Sequence, residues 1–123
     1  MAGRKRISVV EDDASMRRAL GRLLKAAGYA CTEFASAEAI LALEPFLAPD
    51  CLLCDIHLPR ASGLMLVDNL RKRAPSLPVI FITGFDTPDL RLEVSRRGPE
   101  AFLVKPFEGR ELLVELDRLL NAG

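Results

Sequence analysis

The stretch Cys51-Leu52-Leu53-Cys54-Asp55-Ile56-His57-Leu58-Pro59 runs from an unbroken apolar segment straight into a carboxylate and the chain's only histidine. Four consecutive apolar residues without alternation read as a strand buried on both faces, and such strands belong to parallel sheets covered by helices on either side. Three further runs have the same character: Ile7 to Val10, Val79 to Thr83 and Ala101 to Val104. The stretch Tyr29 to Phe34 alternates and reads as a more exposed second strand.

Helical patterns lie between these runs. Met16, Leu20, Leu23, Leu24 and Ala27 share one face of a segment that begins near Asp13 and is stopped by Gly28. Ser36 offers an N-cap to a short helix reaching about Leu43. The segment Ser62 to Pro75 makes a third helix. Thr87 as cap, Pro88 as first residue and Gly98 as terminator define a fourth with a weak apolar stripe. A fifth, from about Glu108 to Leu120, carries Leu112, Leu113, Leu116, Leu119 and Leu120 on one side. Strand alternating with helix implies right-handed crossovers, so the expected fold is α/β: a flavodoxin-like, doubly wound parallel sheet of five βα units in the order 2-1-3-4-5.

A chain of 123 residues, half of them hydrophobic, buries roughly two-thirds of its unfolded surface as one domain, here taken as residues 1–123. Seventeen basic residues balance seventeen acidic ones, so no global field draws the domain to nucleic acid or anionic lipid. A role on DNA would need a second domain. The basic start, Met1 to Arg6, leads into neither a signal peptide nor a membrane span, and three cysteines suit a reducing, cytoplasmic setting better than a disulfide framework. Cys51 and Cys54, three apart on a strand, face opposite sides and are expected as separate core thiols.

In doubly wound folds ligands sit outside the carboxyl ends of the strands. The first polar residues there are Glu11, Asp12 and Asp13 after the first strand, Asp55 after the third, Thr83 at the end of the fourth, and Lys105 with Pro106 after the fifth. Crowded carboxylates repel unless a cation intervenes, and magnesium, a hard ion satisfied by carboxylates, carbonyls and water, suits them. Lys105 adds a mobile positive charge, and Thr83, followed by the small Gly84, offers a hydroxyl. These are the parts for phosphoryl transfer to a carboxylate, with Asp55 as nucleophile.

With these residues in hand, the chain resembles the receiver domain of bacterial two-component response regulators. "VVEDD", "CDIHLPRASG", "ITG" and "FLVKPF" stand in that family's order over essentially the full length. The resemblance implies a chemotaxis-regulator-like fold in which Asp12 holds Mg2+ (or Mn2+) directly and Glu11 through water. Asp55 takes the place of the phosphoacceptor, and the backbone carbonyl of His57 that of a further metal ligand. Thr83 and Lys105 match the residues that contact the phosphoryl group, and Phe102 the aromatic whose rotamer follows the threonine in the switch. Asp13 is left to cap the first helix, and the His57 ring to solvent.

The implied partner is a sensor histidine kinase. The implied response is a change in the face formed by the fourth helix, fifth strand and fifth helix, with homodimerisation through it. "DIHLPRASG" and "TGFDTPDL" resemble receivers of transcriptional regulators with a separate helix-turn-helix domain, so the chain is expected to be either a stand-alone receiver or the front of a longer regulator cut near Gly123. Two residues depart from the family: Pro99 replaces a small residue before the fifth strand, and Phe85 stands at a commonly polar position near the mouth of the site. Arg71, Lys72 and Arg73 read as a wetted helix end. The rival activity is a magnesium-dependent phosphatase or phosphotransferase with an aspartyl-phosphate intermediate; it needs a general acid two residues after Asp55, where this chain has His57. The expectation is therefore a signalling domain rather than a turnover enzyme.

Overall fold

The structure, a computed structural model, describes residues 3–98 and 100–121. Five strands, numbered here in chain order within the large sheet, are β1 (Arg6–Val10), β2 (Ala30–Phe34), β3 (Cys51–Asp55), β4 (Val79–Thr83) and β5 (Glu100–Val104). They pair in parallel in the spatial order 2-1-3-4-5, as the alternation of elements predicts. Every residue of β3 and β4 is buried, which is why neither shows alternation in sequence. The edge strand β2 is half-buried for most of its length.

The helices are α1 (Ala14–Ala26), α2 (Ala37–Leu41), α3 (Gly63–Leu70), α4 (Pro88–Ser95) and α5 (Gly109–Asn121). Their caps follow the sequence: the side chains of Asp13, Ser36 and Thr87 accept from Met16, Ala39 and Leu90, three residues on, while Ser62 accepts from Leu64. Two apolar layers cover the sheet. Leu20 and Leu24 of α1 and Leu112 and Leu116 of α5 pack with Ile7, Val9, Leu53 and Ile82 on one face. Ile40 of α2, Leu66, Val67 and Leu70 of α3 and Val94 of α4 pack with Leu52, Val79 and Phe81 on the other.

Cys51 belongs to the first layer and Cys54 to the second, so the two thiols are separated by the sheet itself. Burial pushes Cys51 up to about 12 and raises Cys54 as well, so both stay protonated and without the reactivity of a redox pair.

Three features depart from the sequence reading. The segment after β3 forms a second, two-stranded antiparallel ladder, His57 opposite Ser62 and Leu58 opposite Ala61. Its turn places Arg60 at φ 67°, a left-handed conformation in which Gly or Asn is usual. The third helix ends at Leu70, well before Pro75, because Arg71 caps it and turns inward. The Arg71 guanidinium is not wetted: it donates from Nε and Nη2 to the Leu77 carbonyl at 3.1 and 2.7 Å and from Nη1 to the Arg97 carbonyl, tying α3 to the approach to β4 and to the end of α4. Finally α4 stops with Arg96 as cap rather than at Gly98, and contributes only Val94 to the buried core. The helix is held instead by Arg97, which bridges Asp68 of α3 and Glu93. Pro99 lies outside the described residues.

Gly63 is the glycine that the site cannot spare. A Cβ there would fall on the Asp55 carbonyl oxygen and within 2.9 Å of Ile56 Cα, both backbone atoms that cannot yield. Gly63 also donates its N–H to the Ile56 carbonyl at 2.8 Å, which fastens the start of α3 to the exit from β3. Gly63→Ala is therefore expected to lower stability in urea denaturation by about 1–3 kcal/mol through overpacking, against a helix-propensity gain of at most about 1 kcal/mol. Gly84→Ala, whose Cβ would meet no atom within 4 Å, is expected to cost nothing measurable in the same assay.

Candidate functional site

Parallel strands end on the same side, and the ends of β1, β3, β4 and β5 bring Glu11, Asp12, Asp55, Thr83 and Lys105 to one edge of the sheet. Glu11 and Asp55 are 1% and 5% exposed, whereas Asp12 is exposed. One carboxylate oxygen from each of the three lies within 4.8 Å of the others. Lys105 enters from β5 and places its ammonium 2.8 Å from Asp55 Oδ2 and 3.0 Å from Glu11 Oε1. The Lys105–Pro106 peptide bond is cis.

The electrostatics follow from that arrangement. Burial raises Glu11 above the ordinary carboxylate value, and the neighbouring Asp55 charge adds to the effect; the hydrogen bonds from Lys105 and from the Asp13 N–H act in the other direction without cancelling it. For Lys105 burial acts to lower the pKa, but the hydrogen bonds to Asp55 and Glu11 outweigh it and the amine is held above its ordinary value. The ammonium thus bridges two nearly buried acids. Three hard carboxylate donors facing one another, with a single ammonium between two of them, fit a small divalent cation.

The two buried acids are fixed by different local devices. Asp55 accepts from the His57 backbone N–H at 2.9 Å through Oδ1, leaving Oδ2 to the lysine. Glu11 Oε2 accepts from the Asp13 N–H at 3.1 Å, while Asp13 itself caps α1. Arg17, one turn into α1, donates to the carbonyls of Glu11 and Asp12 at 2.8 and 3.4 Å and pairs with Glu33 of β2 at 3.9 Å. Nothing in the sequence reading singled out Arg17; its place on the polar side of α1, close after the acidic loop, was the available signal. A groove of about 570 Å³ opens beside Asp12 and His57, walled by Ile56, Leu58, Leu64 and Leu90.

Thr83 is fully buried, and its Oγ1 accepts from the Phe85 N–H at 2.9 Å. His57 is exposed, as expected, but its ring also makes contacts the sequence does not show: Nε2 lies 2.9 Å from Thr83 Oγ1 and the ring meets that of Phe85 at a centroid distance of 5.1 Å. Phe102 pairs with Phe81 across β4 and β5, two residues before the pairing of Thr83 with Val104, and so lies on the same sheet face as Thr83. It is half-buried, with the Arg91 guanidinium 4.8 Å from its ring centroid. Arg91 in turn grips Asp86 at 2.6 and 2.9 Å.

A five-stranded parallel sheet wound on both faces, with an acid cluster and a lysine at the carboxyl edge, defines a class of α/β signalling domain. The response regulator receiver domain family model matches residues 7–117, and the chain belongs to that family. It is 36% identical over 113 residues to the DNA-binding transcriptional regulator NtrC of Klebsiella pneumoniae, covering 92% of this chain and 24% of that protein. It is 32% identical over 121 residues to the transcriptional regulatory protein FixJ of Bradyrhizobium diazoefficiens, covering 98% of this chain and 59% of that one. The chain therefore spans between a quarter and about three-fifths of the length of these relatives. Among solved structures, a CheY-like receiver domain protein from Methanospirillum hungatei JF-1 superposes with a TM-score of 0.90 at 28% identity, covering 98% of this chain and 96% of that one. The acidic cluster fits the phosphoacceptor site of a two-component receiver, a signalling domain rather than a turnover enzyme. No helix among the described residues is long and apolar enough to cross a membrane.

Replacing Lys105 by Ala leaves Glu11 and Asp55 facing each other with little access to water. Its loss is expected to cost about 1–3 kcal/mol at pH 7, less than for a fully buried pair because the lysine is partly exposed, and millimolar Mg2+ should restore part of it in thermal denaturation. The pH dependence has a defined sign. With Glu11 raised, the folded state holds a proton that the unfolded state has lost, so this contribution is complete below about 4.5 and fades as pH rises through the raised value. The metal-free protein should accordingly gain stability relative to Glu11→Gln as pH falls through that window.

Proposed function

We propose that residues 1–123 form one receiver domain that accepts a phosphoryl group on Asp55 from the phosphohistidine of a sensor histidine kinase. The observation that carries this reading is the placement of Asp55, nearly buried, with one oxygen held by the His57 N–H and the other by the Lys105 ammonium, beside two further acids. Glu11, Asp12, Asp55 and the His57 backbone carbonyl would hold Mg2+, or Mn2+, Glu11 doing so through water. The ion supplies charge neutralisation for the transferring group and for the acids around it.

Asp55 is fixed for attack on phosphorus. The new Asp55 O–P bond forms as the P–N bond to the kinase imidazole breaks, and the bonding electrons leave with the imidazole nitrogen. Lys105 exchanges one of its two carboxylate partners for a phosphoryl oxygen, where negative charge has accumulated. Thr83 turns its hydroxyl to a second phosphoryl oxygen and vacates space on the sheet face that it shares with Phe102. Phe102 then moves inward from beneath Arg91. The consequence is a redistribution between two packings of the α4, β5 and α5 face, of about 1–3 kcal/mol in coupling.

That face carries a groove of about 510 Å³ lined by Phe102, Pro106, Val114 and neighbouring residues of β5 and α5, which supports homodimerisation there. The DNA-binding names of the NtrC relatives support an output on DNA through a domain outside these residues; the domain itself, with its even charge, does not bind nucleic acid directly. A cytoplasmic setting agrees with three unpaired cysteines.

Incubation with acetyl phosphate and Mg2+ should add the mass of one phosphoryl group to the wild-type chain. The gain should vanish in Asp55→Asn and on chelation of the metal. An unchanged wild-type mass would contradict the proposal.

A further inference from the structure

His57 joins the nucleophile to the threonine within a single residue. Its backbone N–H donates to Asp55 Oδ1 at 2.9 Å, and its ring Nε2 lies 2.9 Å from Thr83 Oγ1. The backbone is fixed by pairing with Ser62 in the short ladder after β3, and behind it Gly63 bonds Ile56. The ring, on an exposed residue, meets the Phe85 ring edge-on, with an interplanar angle of 83°. Phe85 is otherwise 67% exposed, so the ring contact is a principal restraint on that side chain.

The hydroxyl of Thr83 has one proton and two lone pairs. One lone pair takes the Phe85 N–H at 2.9 Å, and the Phe85 carbonyl lies 3.3 Å away. If Nε2 is unprotonated, it receives the threonine proton. If Nε2 carries the hydrogen, it fills the second lone pair and the threonine proton is left to the longer contact with Phe85. In both tautomers the hydroxyl proton, the one group of Thr83 that could donate to a phosphoryl oxygen, is engaged by His57 or Phe85. A threonine that turns to an acyl phosphate must leave this pair.

We propose that the His57 imidazole is a latch that holds Thr83 in its resting position, wedged by Phe85 and released when a phosphoryl group forms on Asp55. The latch rests on the phosphoacceptor reading and adds to it a positioning residue that acts through the threonine. Its release also frees Phe85, so the rim of the site loosens at the moment the switch is thrown. The latch stabilises the unphosphorylated state and opposes activation.

Beryllofluoride with Mg2+, a mimic of the acyl phosphate, tests this without turnover. His57→Phe keeps a ring against Phe85 but removes the nitrogen, and His57→Gln keeps a hydrogen-bonding group of similar reach. A latch of ordinary strength predicts about fivefold tighter beryllofluoride binding by His57→Phe, equivalent to about 1 kcal/mol for one hydrogen bond, and a return towards the wild-type value in His57→Gln. Because the chain has one histidine, its imidazole 15N resonances can be followed without assignment ambiguity. They should move when beryllofluoride is added, and in unliganded Thr83→Ala should already lie away from their resting wild-type positions.

Equal affinity in all three proteins with unmoved imidazole resonances would overturn the latch. So would tighter binding by both variants, which would make the ring's bulk the cause. Weaker binding by His57→Phe restored by His57→Gln would make the imidazole a ligand of the phosphoryl group and likewise overturn it. A wild-type protein that binds no beryllofluoride would overturn the phosphoacceptor reading, and the latch with it.

Discussion

Two nearly buried carboxylates, Glu11 and Asp55, share one ammonium, and the geometry of the site follows from that shared charge. Carboxylates so close in a poorly solvated pocket repel strongly, and removing either from water costs several kcal/mol before any partner is counted. Lys105 offsets this for two of the three acids. Asp12, exposed, is left with the unbalanced charge, so the three acids together form a group that could hold a divalent cation. The lysine comes from the strand at the far edge of the sheet, 50 residues after Asp55 and 94 after Glu11. The parallel arrangement of the strands is therefore part of the chemistry: it delivers the ammonium and the acids to the same edge of the sheet.

Much of this is legible in the amino-acid sequence. Continuous apolar runs such as Val79 to Thr83 betray strands buried on both faces, and the first polar residue after each run falls where parallel strands deliver their side chains to a common edge. Caps at Asp13, Ser36 and Thr87 were readable because their geometry involves residues only three apart.

What escaped the sequence was long-range or very short. Periodicity cannot register a ladder of two residues per strand, so the turn at Pro59 and Arg60 was missed. Nor can it join His57 to Thr83 across 26 positions. Arg71 was misread for a related reason: a basic run at a helix end is commonly wetted, and only tertiary structure supplies the Leu77 and Arg97 carbonyls that draw this one inward. Gly63 stands in the recognisable stretch after Asp55, but its reason, contact with the Asp55 carbonyl, is visible only in three dimensions.

The site and its outward face are mechanically continuous. Asp55 holds His57, His57 holds Thr83, and Thr83 lies on the sheet face shared by Phe102, whose ring is covered by an arginine of a helix that buries only one residue. A weakly packed α4, pinned by ion pairs at both ends rather than by a large apolar face, belongs to the low-stability end of the molecule, where small free-energy changes move populations. The most direct measure of the central claim is paramagnetic line broadening by substoichiometric Mn2+ in an amide NMR spectrum. The account predicts loss of signals centred on residues 11–13, 55–57 and 105, abolished in Asp12→Ala; broadening centred elsewhere, or the same broadening in that variant, would contradict a single cation pocket around Asp55.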